Sequence, residues 1–220
     1  MKNNAAPAKK IVMVIIAIIT WAALVLQFSL TIKTTDVTGF SNIKTITNFF
    51  SYFTILSNIL VAVSLTVSLL NPASRTGTFF LKTSVQSSIA VYIFIVGLVY
   101  NLVLRNIWSP KGWQLVADNL LHVAVPVLFV LYWIIFTAKN ILQWKNILPW
   151  LIFPMIYLIY SLLRGPVADW YPYPFLHAGQ LGYGKVSINS LFVLMAFLLV
   201  GLGMVAFNRA GKKRQIDIES

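Results

Sequence analysis

Long apolar stretches separated by short polar connections dominate the chain. Six of them, residues 11–32, 47–70, 87–107, 116–137, 147–163 and 186–208, reach or approach the ~20 residues that a helix needs to cross a bilayer. Their apolarity is continuous rather than alternating, which argues against the strands of a closed barrel. Turn residues fall between them: Asn71-Pro72, Ser-Pro-Lys-Gly at 109–112 and Arg-Gly-Pro at 164–166 each interrupt helix. The pattern predicts an all-α membrane protein, with one six-helix transmembrane bundle over residues 1–208 and a basic tail at 209–220. The fifth segment is the shortest and is expected to tilt least.

Composition agrees with this reading. The chain is 59% hydrophobic and 10% charged, where a soluble domain carries about 25% charged residues. The net charge is +12, from 17 basic and 5 acidic side chains. The positives sit in tails and connections between apolar segments. They are therefore expected to orient the chain and meet anionic lipid rather than nucleic acid. With the N-terminus inside, eleven Lys and Arg fall on the cytoplasmic side and six outside, which predicts an inner-membrane protein with both ends cytoplasmic. Residues 11–32 then read as an uncleaved signal anchor. Trp108, Trp113 and Trp170 are expected in an outer interfacial belt, and Trp133, Trp144 and Trp150 in an inner one. Cysteine is absent, so disulfide, thiolate and Cys-ligated metal chemistry are excluded. Two histidines and scattered Asp make no convincing metal site, no glycine-rich phosphate loop is present, and no cofactor is expected. Nothing in the pattern fixes an oligomeric state.

Polar residues inside the apolar segments carry the candidate chemistry, because lipid penalises them unless they have a partner or a task. Thr54 lies seven residues below an outer start near Thr47, so ~10 Å deep. His122 lies six residues below Val116, so ~9 Å deep. The two are matched in depth. Ser51, Thr54 and Asn58 form one stripe, Asp118 and His122 are i, i+4, Asn101 and Arg105 are i, i+4, and Tyr157, Tyr160, Ser161 and Arg164 share a side. All are expected to face one another in the outer half of the bundle. Pro126 has no N–H for the His122 carbonyl, and Pro154 none for that of Trp150. The first should offer an acceptor inside the pocket. The connection 164–185, with Tyr-Pro-Tyr-Pro-Phe at 171–175, is too apolar for a solvated loop. It is expected to fold over the outer mouth as a lid or to lie in the interface.

Three patches carry a resemblance: Phe-Ser-Tyr-Phe-Thr-Ile-Leu-Ser-Asn at 50–58, Asp118-Asn119-Leu120-Leu121-His122 with Pro126, and Tyr160 to Gly165 with the 171–175 run. Together they resemble a bacterial family of six-helix membrane proteins labelled Pr-six-Pr, over nearly the whole chain. More distantly, the chain is similar to the androgen-induced-gene (FAR-seventeen-a-like) family, intramembrane threonine hydrolases of fatty acid esters of hydroxy fatty acids. In that resemblance Thr54 and Asn58 match the family's threonine and the Asn after it. Asn119 and His122 match its histidine patch. It implies a threonine nucleophile with a histidine base.

Each of these residues also has an ordinary structural use. A transmembrane threonine bonds back to a carbonyl of the preceding turn. His122 could brace Asn58 or Tyr52. Asp118 could orient His122 or start a helix. Asn58 and Asn101 could steady an oxyanion or tie helices together. Arg105 and Arg164, with Tyr160, could bind an acidic head group, or the arginines could snorkel. Tyr173, Tyr183 and His177 read as packing or loop residues, and Gly97, Gly201 and Gly203 as points of close helix contact. The expectation is a polar pocket in the outer leaflet that hydrolyses a lipid ester through Thr54 and His122. The alternative is a non-catalytic lipid or small-molecule binder or a transporter.

Overall fold

The computed structural model describes residues 5–38 and 41–211. Lys2, Lys212, Lys213 and Arg214, with most of the expected tail, lie outside the described residues. The elements in order are α1 (Ala5–Thr38), α2 (Asn42–Phe49), α3 (Phe53–Leu70), α4 (Arg75–Leu81), α5 (Thr83–Val99), α6 (Gly112–Asn119), α7 (Val125–Phe136), α8 (Ile147–Trp150), α9 (Ile152–Ala168) and α10 (Ala178–Ala210). A π turn, Tyr100–Leu104, extends α5, and a second, Leu120–Ala124, joins α6 to α7. No strand occurs among the described residues. Six helical stretches are long and apolar enough to cross a membrane: Ala6–Lys33, Phe53–Leu70, Thr83–Leu104, Gly112–Phe136, Trp144–Ala168 and Ala178–Ala210. The chain is a multi-pass integral membrane protein built as a six-helix bundle.

Inside lipid, helices gain little from the hydrophobic effect and are held by packing and interhelical hydrogen bonds. α3 and α5 form the centre, with α1 and α4 against α3, and α7 and α10 against α5. Rings of Phe53, Tyr92, Phe153, Tyr157 and Phe197 interlock where α3, α5, α9 and α10 meet. Trp133 donates to Ser87 Oγ at 2.7 Å and Trp150 to Ser84 Oγ at 3.0 Å. These two tryptophans are therefore core residues, 2% and 4% exposed, and not members of an inner belt. Trp108, Trp113 and Trp144 do face outward.

Several expected boundaries are displaced. The segment read as one helix over 47–70 is broken at 50–52, so Thr54 stands in the first turn of α3 rather than two turns down a continuous helix. The fifth span is longer than expected, because α9 runs through Arg164, Gly165 and Pro166 and stops at Asp169, whose φ is 47°. Gly165 lets the chain return closely: a Cβ there would lie 1.9 Å from a ring carbon of Tyr171. Among the other glycines, Gly97 permits a tight crossing, since a Cβ would meet the His122 carbonyl and Pro126 at 3.2 Å. Gly201 makes ordinary contact and Gly203 faces open space, so neither sits at a close crossing of that kind.

The breaks leave backbone groups that side chains from other helices satisfy. Tyr157 donates to the Ser51 carbonyl at 2.9 Å, at the α2–α3 corner. Tyr92 donates to the Trp150 carbonyl at 2.8 Å, the acceptor that Pro154 leaves free. Such bonds contribute about 0.6 kcal/mol on average in a bilayer, and up to ~1.7.

Candidate functional site

Thr54 and His122 meet. His122 Nε2 lies 3.3 Å from Thr54 Oγ1. The other ring nitrogen, Nδ1, is 2.9 Å from the Asp118 carbonyl oxygen. A carbonyl can only accept, so Nδ1 carries the proton, and in the neutral ring Nε2 offers its lone pair to the threonine hydroxyl. The Asp118 carboxylate lies 3.4 Å from Nδ1 through Oδ1, and its Oδ2 accepts from the Tyr100 hydroxyl. Tyr100 also stacks on the imidazole, with centroids 4.1 Å apart and planes 18° off parallel. Asp118 is 4% exposed and the His122 side chain 14%.

The two π turns make this arrangement. In the second, Val125 donates to Leu120, five residues back. The next donor in that register would be Pro126, to the Leu121 carbonyl, and proline has none. Asn58 supplies it: its amide donates to Leu121 O at 3.3 Å and to Thr54 O at 2.8 Å. Asn58 is fully buried and spends its donors on these two carbonyls, an orienting arrangement that couples the turns carrying Thr54 and His122. The His122 carbonyl itself packs on Gly97 rather than opening into a pocket.

The aromatic connection closes the other side. Tyr173 precedes Pro174, and the residue before a proline is driven extended; its φ and ψ are −137° and 141°. That conformation carries its hydroxyl to Thr54, where it accepts from the backbone N–H at 3.2 Å and lies 3.3 Å from Oγ1. Burial pushes the Tyr173 phenol up to about 12, so it is a neutral hydroxyl at physiological pH. The threonine hydroxyl can thus donate to His122 while accepting from Tyr173.

In front of this group lies a vestibule of about 530 Å³, with walls from Gln27, Asn48, Tyr52, Trp108, Gln114, Asp118, His122, Trp170 and Tyr173. Gln114 donates to Gln27 at 2.8 Å across it. Arg164 stands behind the wall, bonding Asn48 Oδ1 at 2.6 Å and lying over the Trp170 ring. Tyr160 is paired with Ser51 Oγ at 2.8 Å and does not line the vestibule. The structure does not bring Asn101 or Arg105 to the site. They bond each other at 3.0 Å on an exposed face, and Asn101 donates to the Gly97 carbonyl. The reason is phase: Asn101 is one residue, about 100°, further round the helix than Tyr100, which takes the inward position. Tyr100 was absent from the sequence reading, and Tyr173 was read as packing. The prolines flanking Tyr173 were the one local sign that its backbone is held extended.

Among the described residues no group of three His, Cys, Asp or Glu could hold a metal ion. Comparison with family models, curated proteins and solved structures finds no match to this chain.

Proposed function

We propose that the protein is an intramembrane hydrolase of lipid esters, with Thr54 as nucleophile and His122 as general base. One observation carries this reading: the Thr54 hydroxyl meets Nε2 of a histidine whose other nitrogen is fixed by a carbonyl. Three other threonines of the bundle behave differently. Thr20, Thr47 and Thr66 each bond back to the carbonyl four residues earlier. Thr54 stands in the first turn of α3, where no preceding helical turn exists, and its hydroxyl is turned to His122 and Tyr173. The resemblance to threonine hydrolases at Thr54, Asn58, Asn119 and His122 supports the same assignment.

Chemically, Thr54 Oγ1 attacks the ester carbonyl carbon as its proton passes to His122 Nε2. The Tyr173 hydroxyl, with the N-terminal dipole of α3, is placed to stabilise the oxyanion. Collapse expels the alcohol oxygen, which takes the proton from Nε2. Water then attacks the acyl-threonine, giving a proton to Nε2, and the second collapse returns it to Thr54. One ester and one water become an acid and an alcohol. Asp118 and Tyr100 hold the imidazole, and Asn58 holds its turn. In this reading both termini are cytoplasmic and the vestibule faces the outer leaflet, where membrane lipids supply the substrate.

The test is labelling of purified protein with an alkyl fluorophosphonate, with the adduct located by mass spectrometry. An adduct on Thr54, lost in Thr54→Ala and reduced at least ~100-fold in His122→Ala, is expected for a base worth ~10²–10⁴. A folded wild type that never labels removes the hydrolase reading and leaves the vestibule as a binding site for a lipid or small molecule.

A further inference from the structure

Thr54 faces two cavities, of which the vestibule carries the more polar side chains. Behind it, away from the vestibule, lies a second cavity of about 80 Å³ among α5, α9, α10 and the 173–176 turn. Ile95, Val96, Met155, Val193, Leu194 and Phe197 give it an apolar wall. Thr54, Tyr100, Leu104 and Tyr173 line both spaces, so the nucleophile stands at their junction.

The polar atoms of the second cavity are turned away from it. Tyr157 gives its hydroxyl to the Ser51 carbonyl, Tyr100 to Asp118, and Tyr173 is engaged with Thr54. These residues present ring surface inward. Besides Thr54, Ser190 brings a hydroxyl, and its Oγ is buried with no hydrogen-bond partner. Two hydroxyls on a wall otherwise made of carbon offer little to a charged head group, a sugar or a second carboxylate. At ~10–15 Å³ for each water-sized site, the space takes about five to eight such groups, a run of carbon chain. Met155, 37% exposed, lies at its rim, so the cavity reaches the lipid-facing side of α9.

We infer that this cavity receives the acyl chain of the ester, while the alcohol portion occupies the wider vestibule, where Gln27, Gln114 and Asp118 supply polar groups. The inference rests on the hydrolase reading and gives it a direction. The chain slides in from the bilayer past Met155, the carbonyl stops at Thr54, and the alcohol leaves through the vestibule. Ser190 then sets how much chain fits, because replacing it with a bulky residue fills the slot without breaking a hydrogen bond.

The experiment measures the rate of Thr54 labelling by ethyl, octyl and hexadecyl fluorophosphonates in wild type and in Ser190→Phe, Leu199→Phe and Gln114→Phe. Wild type is expected to label with octyl at least about tenfold faster than with ethyl, since each buried methylene adds binding. Ser190→Phe should lower that ratio by about tenfold. Leu199→Phe, on the lipid face of the same helix, should keep it. The proposal is overturned if Ser190→Phe keeps the ratio, or if Gln114→Phe abolishes it instead, which would seat the chain in the vestibule. Absence of labelling by every probe defeats the hydrolase reading and this inference together. If Ser190→Phe does not fold, a diazirine-bearing octyl probe on wild type decides. Crosslinks to Val193 or Phe197 support the slot, and crosslinks to Trp108 or Gln27 refute it.

Discussion

The linkage between Asn58 and Pro126 yields a measurable coupling. Pro126 removes the donor that the Leu121 carbonyl would meet in the π register, and the Asn58 amide replaces it at 3.3 Å. Replacing Asn58 by Leu alone is a poor measure of that bond. It orphans the Leu121 carbonyl, which costs ~1–3 kcal/mol for a buried group. It also removes the Asn58 Oδ1, which is buried with no partner and is itself destabilising. The two effects partly cancel, so the single substitution should cost about 1 kcal/mol or less. Pro126→Ala restores an N–H at that position while keeping the Cβ that rests on Gly97. Whether the turn stays π or relaxes to α, the Leu121 carbonyl then has a backbone donor, from residue 126 or residue 125.

Asn58→Leu should therefore cost less in the Pro126→Ala background than in wild type. The coupling is the worth of one side-chain bond in this setting, about 1 kcal/mol within the ~0.6–1.7 found in bilayers. That is about a fivefold change in the unfolding constant. Reversible unfolding of the four proteins in mixed micelles, followed by tryptophan fluorescence, gives the cycle. A coupling within ~0.3 kcal/mol of zero means additivity. It would show that the Leu121 carbonyl has another donor and that Asn58 does not hold the His122 turn.

Three other substitutions follow from the same geometry. Tyr173→Phe should slow fluorophosphonate labelling of Thr54 at least about tenfold by removing the oxyanion donor. Burial raises the Tyr173 phenol from 10.0 to about 12. Its contribution to stability is thus whole below pH 10 and fades as pH rises through 12, by a few kcal/mol; Tyr173→Phe should abolish that part of the alkaline loss in pH-dependent unfolding. Asp118→Asn should reduce labelling only ~10–100-fold, well short of the ~10⁴ of a tautomer-setting carboxylate, because the Asp118 backbone carbonyl still fixes Nδ1–H. Tyr92→Phe should destabilise the bundle by ~0.6–1.7 kcal/mol, and by less when Pro154→Ala gives the Trp150 carbonyl its own donor, as thermal unfolding would report.

The spans were legible because lipid imposes a length and an apolarity that no other solvent demands. Inter-residue phase was not legible. A stripe such as Asn101 and Arg105 states which residues share a side, but only a neighbouring helix decides whether that side faces inward. Here Gly97 turns the adjacent face toward Pro126, and Tyr100 goes in with it. The break at 50–52 was invisible for a similar reason. Nothing in Phe-Ser-Tyr forbids a helix; the corner is held by Tyr157 from α9 and Tyr173 from the connection, more than 100 residues away. Trp133 and Trp150 were assigned to a belt because a sequence does not reveal that Ser87 and Ser84 await their indoles. Proline was the informative exception, since it names the missing donor. The freed Trp150 carbonyl has its partner in Tyr92, and beside the Pro126 break Asn58 reaches the Leu121 carbonyl.

The sequence leads one to expect the aromatic connection as a lid or lying in the interface, and its attachments make it a fixed wall. Tyr173 caps the Thr54 N–H, Trp170 lies edge-on to Tyr52 and under Arg164, and Asn189 donates to the Phe175 carbonyl at 3.0 Å. Lifting this segment would uncap α3 at Thr54, the proposed nucleophile, and would remove the hydroxyl beside it. In a bilayer an irregular backbone is tolerated where protein satisfies it, and here the protein that does so is the site. A gate made of these residues would dismantle the proposed site each time it opened. Two openings need no such movement: the vestibule, already wide, and the slot that reaches lipid at Met155. A bundle whose breaks at 50–52, Leu121 and Trp150 are closed by side chains from other helices holds Thr54 and His122 in place while lipid chains move around them. That is the condition a preorganised hydroxyl nucleophile requires.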